Sequence, residues 1–118
     1  MTPRLVPGLS AYRTGHYFEA HERWEDVWRN ERDPIARDFV QGLIQLAAAM
    51  HKLVHQRNAV GAIRLLDRAR AHLAAAPPDA GGLDVTRLVA DIARARAALE
   101  RLQALGRVDL DPMLVPMV

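Results

Sequence analysis

Asp33-Pro34-Ile35-Ala36-Arg37-Asp38-Phe39-Val40-Gln41-Gly42-Leu43-Ile44-Gln45-Leu46-Ala47-Ala48-Ala49-Met50-His51-Lys52-Leu53-Val54-His55-Gln56 is the stretch that decides the fold. Asp33 can cap a helix, and Pro34 suits its first turn because the missing N–H needs no partner there. The spacing predicts a helix over residues 34–56. Phe39, Leu43, Leu46, Met50 and Leu53 form one stripe, and Ile44, Ala47 and Ala48 widen it over most of the circumference. A helix apolar nearly all round is covered on several sides, so it is central. The fold class is therefore all-α, a compact bundle of about five helices around this one.

The flanking segments supply the other helices. Residues 1–7 hold two prolines and read as an extended lead-in. Gly8 to Thr14 forms a short helix that Gly15 ends. A second helix runs from Tyr17 to Asn30. Beyond the central helix, Arg57-Asn58 is a break. Ala62, Leu66, Ala69, Leu73 and Ala76 then mark the buried face of a fourth helix over residues 59–75. Pro77-Pro78-Asp79-Ala80-Gly81-Gly82 is a loop. Asp84 caps a fifth helix that carries Leu88, Ile92, Ala95, Leu99 and Leu102 inward and runs to Ala104. The tail from Val108 to Val118, with two prolines and alternating apolar residues, is expected to lie extended across the bundle. No segment alternates like a sheet strand, and residues 1–118 form one domain.

Composition removes several classes of function. There is no cysteine, so disulfides, thiolate catalysis and cysteine zinc sites are excluded. The most apolar run, Phe39 to Met50, is interrupted by Gln41 and Gln45 and cannot span a bilayer. The opening Met-Thr-Pro-Arg lacks a signal-peptide core, and a cytoplasmic location is expected. The 16 basic and 14 acidic residues divide evenly between the two halves of the chain, so no basic lobe exists for nucleic acid.

The second helix holds the candidate chemistry. In Gly15-His16-Tyr17-Phe18-Glu19-Ala20-His21-Glu22-Arg23-Trp24-Glu25-Asp26-Val27-Trp28, a turn of roughly 100° per residue brings Tyr17, His21, Trp24, Glu25 and Trp28 into one arc. The aromatics mark that arc as inward-facing. His21 and Glu25 are then polar groups aimed at apolar surroundings, where an unpaired group costs about 1–3 kcal/mol. Glu22 can contribute from the edge. Gln41 and Gln45, another i, i+4 pair, can answer them from the central helix, and Gly42 between them permits close approach. The candidate ligand-binding set is His21, Glu22, Trp24, Glu25, Trp28, Gln41 and Gln45. If the protein is an enzyme, His21 is the general base or acid and Glu25 orients it. The pattern His-Glu-x-x-Glu lacks the second histidine of the zinc-protease motif, and no metal or other cofactor is expected. His51 and His55 have chelating spacing but sit at a helix C-terminus, where histidines favour the dipole and are usually solvated. His16 and His72 read as surface residues. A bland reading stands beside the functional one: the polar groups pin helices together and do nothing more.

Gly15-His-Tyr-Phe-Glu-Ala20 is also similar to the turn and helix start of a tetratricopeptide unit, with a degenerate second copy at Asn58-Ala-Val-Gly-Ala62-Ile63. Two copies are too few for a solenoid, but such hairpins could offer a groove to a protein partner.

The two blocks Gly15-x-Tyr17-Phe18-Glu19-Ala20-His21-Glu22-x-Trp24-Glu25-x-x-Trp28 and Phe39-x-Gln41-Gly42-Leu43-Ile44-Gln45 resemble the bacterial and archaeal family known as domain of unknown function 309. The resemblance covers residues 8–76. It implies a compact bundle of about five helices and carries no established activity. The segment before Gly15 is shorter and richer in proline than the family pattern. The expected function is binding of a small polar ligand between the second and third helices. The alternatives are a protein-interaction module and a metal-dependent hydrolase-like site. Apolar surface left over by packing would favour a homodimer.

Overall fold

Prolines open several of the helical segments. Pro7 lies in the first turn of the helix that begins at Val6, Pro34 opens the central helix, and Pro112 begins a short 3-10 turn near the C-terminus. Each position tolerates the missing N–H. The computed structural model describes residues 3–118. Its helices are α1 (Val6–Arg13), α2 (Tyr17–Asn30), α3 (Pro34–Val54), α4 (Ala59–Ala74) and α5 (Val85–Ala104), with 3-10 turns at Pro3–Leu5, Ala80–Gly82 and Pro112–Leu114. No strand occurs among the described residues. The radius of gyration, 13.4 Å, is that of a compact body of this length.

The packing runs α1 on α2, α2 on α3, α3 on α4 and α4 on α5, so each helix leans mainly on its neighbours in sequence. α3 is the hub. Leu43, Leu46, Ala47, Ala49 and Met50 have no exposed surface, and its apolar circumference is shared between α2 and α4. α4 supplies Ala62, Leu66, Ala69 and Leu73 to the core, and α5 supplies Leu88, Ile92 and Leu99. Gly42 allows α4 to come close: a Cβ there would lie 2.7 Å from Leu73 Cγ and 3.1 Å from His72 Cβ.

The sequence expectations needed three corrections. The lead-in is not extended where it is described: Pro3–Leu5 makes a 3-10 turn that runs into α1 at Val6, and only Met1 and Thr2 lie outside the described residues. α3 ends at Val54, short of Gln56. Arg57 takes a left-handed conformation (φ 49°), and the Asn58 N–H closes on the Lys52 carbonyl at 2.8 Å, a stop one residue wider than the Schellman motif. Asn58 then caps α4 by accepting the Gly61 N–H at 2.8 Å. The tail holds a 3-10 turn at Pro112–Leu114 before returning to α1. There the Tyr12 hydroxyl donates to the Pro116 carbonyl at 2.7 Å and Arg13 Nε donates to the Val118 carbonyl at 2.8 Å.

Candidate functional site

Two contacts fix how α2 lies along α3. At one end the Phe18 and His51 rings are 5.4 Å apart. At the other the Arg37 guanidinium sits 3.6 Å over the Trp28 ring, and Arg37 Nε donates to the Trp28 carbonyl at 3.3 Å. The helices are therefore antiparallel. About 15 Å of α2 separates the two contacts. His21 and Glu25 fall within that span, and Gln41 and Gln45 fall within the matching span of α3.

The aromatic arc divides by depth. Trp24 has no exposed surface. Its indole packs where a Cβ on Gly8 would overlap it, lies 6.0 Å from the Tyr12 ring, and donates from Nε1 to the Leu5 carbonyl at 3.3 Å. Trp24 thus belongs to the α1–α2 core and offers no surface to a ligand. Trp28 is half-buried under Arg37. Tyr17 is buried, and its ring meets that of Tyr12 edge to face, with centroids 5.2 Å apart.

His21 and Glu25 lie where the core meets solvent, with side chains 27% and 33% exposed. His21 Nε2 is 3.1 Å from Glu25 Oε1. The other carboxylate oxygen, Oε2, accepts from Arg29 at 2.9 Å, and Arg29 also donates to Asp26 at 3.0 Å. Glu25 is thus satisfied from both sides on its own helix, by residues at i−4 and i+4. Gln41 and Gln45, expected to answer this pair from α3, are half-buried, but their side chains make no hydrogen bond to another described residue. Arg29 supplies the cation that the glutamine reading left out, and the i+4 spacing from Glu25 was its available signal. Glu22 is exposed.

His51 extends the strip toward Phe18. Its Nδ1 is buried and has no hydrogen-bond partner among the described residues. Burial, then the positive neighbours His55 and Lys52, then His21 across the interface, hold its imidazole below the usual histidine range. His51 is therefore neutral near pH 7. The ring of exposed His55 stands 5.3 Å from it, and the Phe18 ring lies nearly parallel to His21 at 6.2 Å. The expectation of solvated histidines at the end of α3 holds for His55 and fails for His51, because Phe18 of α2 lies against it. His72, expected on the surface, instead bonds Asp38 through Nδ1 at 2.6 Å across the α3–α4 contact.

The strip thus offers a carboxylate, a neutral imidazole at His51 and two uncommitted amides. When His21 donates its Nε2–H to Glu25, its Nδ1 carries a lone pair. Among the described residues no three histidine or acidic side chains converge so as to hold a metal ion.

A family model described as domain of unknown function (DUF309) matches residues 5–65, just over half of the chain. That span takes in α1, α2, α3 and the first turns of α4, and with them all seven candidate residues. No curated protein matches the chain.

Proposed function

The chain belongs to the DUF309 family, a description that names no activity, and from that premise we propose that it binds a small polar ligand along the α2–α3 strip. The observation that carries this reading is the pair of half-buried amides, Gln41 and Gln45, left without a protein partner beside a half-buried His21–Glu25 pair. Half-buried polar groups with unused capacity favour a ligand that both donates and accepts hydrogen bonds. In this reading Glu25 and His21 meet donor and acceptor groups of the ligand, Gln41 and Gln45 bracket it from α3, and Glu22 contributes from the rim. Trp28 closes one end, and Trp24 supports α2 from behind without touching the ligand.

The test is a thermal-shift screen of the wild type, Glu25→Gln and Gln41→Leu. The compounds are amino acids, dicarboxylates, nucleosides and simple amides. A true ligand at about tenfold excess over its Kd stabilises by about 1.4 kcal/mol, a rise of about 5 °C for a domain of this size. We expect at least one compound to give that rise in the wild type and not in the variants, with all three proteins melting alike in its absence. Identical responses of the three proteins across the panel would reject the ligand site.

One observation favours a second reading, a helical-hairpin module for a protein partner. Phe18 is 55% exposed on the same face, beside His21 and His51. Phe18→Ala separates the two, because it should weaken capture of a protein partner while leaving a small-ligand shift in place.

A further inference from the structure

We propose that the protein carries a second, separate site, which takes a small neutral apolar molecule, in the hollow where the C-terminal end of α2 and the start of α3 meet the α4–α5 loop. The hollow has a volume of about 210 Å³ and is open on one side. Buried Leu5, Phe39 and Val40 form its floor, and Val27, Ala36 and Ala80 form its sides. A closed cavity of about 150 Å³ lined by Leu, Ile and Phe takes up benzene, and the floor of this open hollow, Leu5, Phe39 and Val40, is apolar in the same way. The present hollow is larger, with room for about eight carbon atoms by the same measure.

Its wall is held in place by the backbone. Gly81 lies against Leu5 and Phe39 so closely that a Cβ would come within 2.7 Å of Leu5 Cδ1 and 2.9 Å of Phe39 Cε2. Its φ of 62° is one that other residues rarely adopt. At Gly81 the loop therefore covers the floor without adding a side chain there.

The rim argues for an uncharged occupant. Arg4 faces Glu31 at 3.9 Å and donates to the Val27 carbonyl at 3.3 Å. Glu31 also accepts the Arg32 N–H at 3.1 Å. The one rim cation and one of its two carboxylates thus offset each other. The second carboxylate, Asp33, stands at the N-terminus of α3, where the helix dipole compensates it. A charged head group would have to compete with these partners and would lose its hydration as well. The hollow lies at the Glu31 end of α2, whereas the polar strip runs from Trp28 in the opposite direction, so the two sites do not share His21 or Glu25.

The experiment is an amide-resolved NMR titration of the full chain with toluene, 1-hexanol, hexanoate and hexylammonium. Toluene should shift the amides of Val27, Ala36, Ala80 and Gly81, and hexanol should bind at least tenfold more tightly than either charged analogue. Ala36→Leu fills the hollow and should abolish the toluene shifts while the spectrum stays that of a folded protein. Ala80→Val is the second filling variant should Ala36→Leu fail to fold. Glu25→Gln should leave the toluene response unchanged, whatever becomes of the polar-ligand reading. The proposal is overturned by any of four results: no shift at saturating toluene, shifts centred elsewhere, shifts that survive in a folded filled variant, or charged analogues that bind as tightly as hexanol.

Discussion

Trp24 and Glu25 are adjacent on α2 and should respond oppositely to substitution. The indole is fully enclosed, so Trp24→Ala opens a cavity and should lower stability by about 3–5 kcal/mol in urea unfolding. Glu25 is one-third exposed and finds its partners on its own helix. Glu25→Gln should change stability by no more than about 1 kcal/mol. His51 gives a pH dependence whose sign follows from its burial. Its folded-state pKa lies below the 6.5 it regains on unfolding, so the unfolded chain binds the proton more readily. Stability therefore falls as pH drops below about 6.5 and is flat above it as far as this group is concerned. Melting at about pH 5, 6 and 7 should show a smaller acid loss for His51→Gln than for the wild type; equal losses would refute the assignment. The helical wheel made the α2 arc legible from the sequence, and with it the His21–Glu25 pair. It could not show that Trp24 turns toward α1, that Glu25 takes Arg29 before any glutamine, or that Asp38 reaches His72. Each depends on which neighbouring helix, or which competing side chain on the same helix, gets there first. For Asp38 and His72, 34 residues apart in sequence, the register of α3 against α4 decides the matter.

At the scale of the element, capping chemistry made the helix starts readable. Asp33-Pro34 and Asp84 stand where the sequence places them, and the Asp84 side chain accepts a backbone N–H; Asn58, read from the sequence only as part of a break, caps α4 in the same way. The end of α3 was less readable because a non-glycine residue occupies its left-handed stop. That conformation costs an L-residue about 1–2 kcal/mol. Arg57→Gly should accordingly raise stability, by about 0.5–1 kcal/mol after the extra freedom of the unfolded chain is deducted, and thermal melting checks it. Gly42 behaves in the opposite way. Glycine within a helix normally loses about 1 kcal/mol to alanine. Here the added methyl would meet Leu73, which is fully buried and cannot swing aside. Gly42→Ala should therefore destabilise the protein by about 1–3 kcal/mol despite its better helix propensity.

On the scale of the whole molecule, the all-helical class was legible because the apolar periodicity of every segment agreed with the same answer. The course of the tail was less so: Val108, Leu110, Val115 and Val118 pack on the core, but the hydrogen bonds that anchor its return to α1 follow no periodic pattern. Tyr12 is the firmest of these anchors. Burial, and secondarily Tyr17, push its phenol well above the usual range, so it stays protonated and donates to Pro116 for as long as the fold persists. In an alkaline titration followed by near-ultraviolet absorbance, Tyr12 should ionise only together with unfolding. Tyr12→Phe should cost about 1–3 kcal/mol, because it strands a buried carbonyl.

The return of the tail to α1 also has a mechanical consequence. Helices that lean mainly on their sequence neighbours resemble a folding screen, which opens panel by panel when pulled from an edge. The strap from Pro116 to Tyr12 ties the last panel back to the first. A load applied at residue 118 reaches the Tyr12 and Arg13 contacts before it reaches the α4–α5 seam. Single-molecule extension of the intact chain should give one rupture, and Tyr12→Phe should let α5 peel away at lower force, before the other helices give.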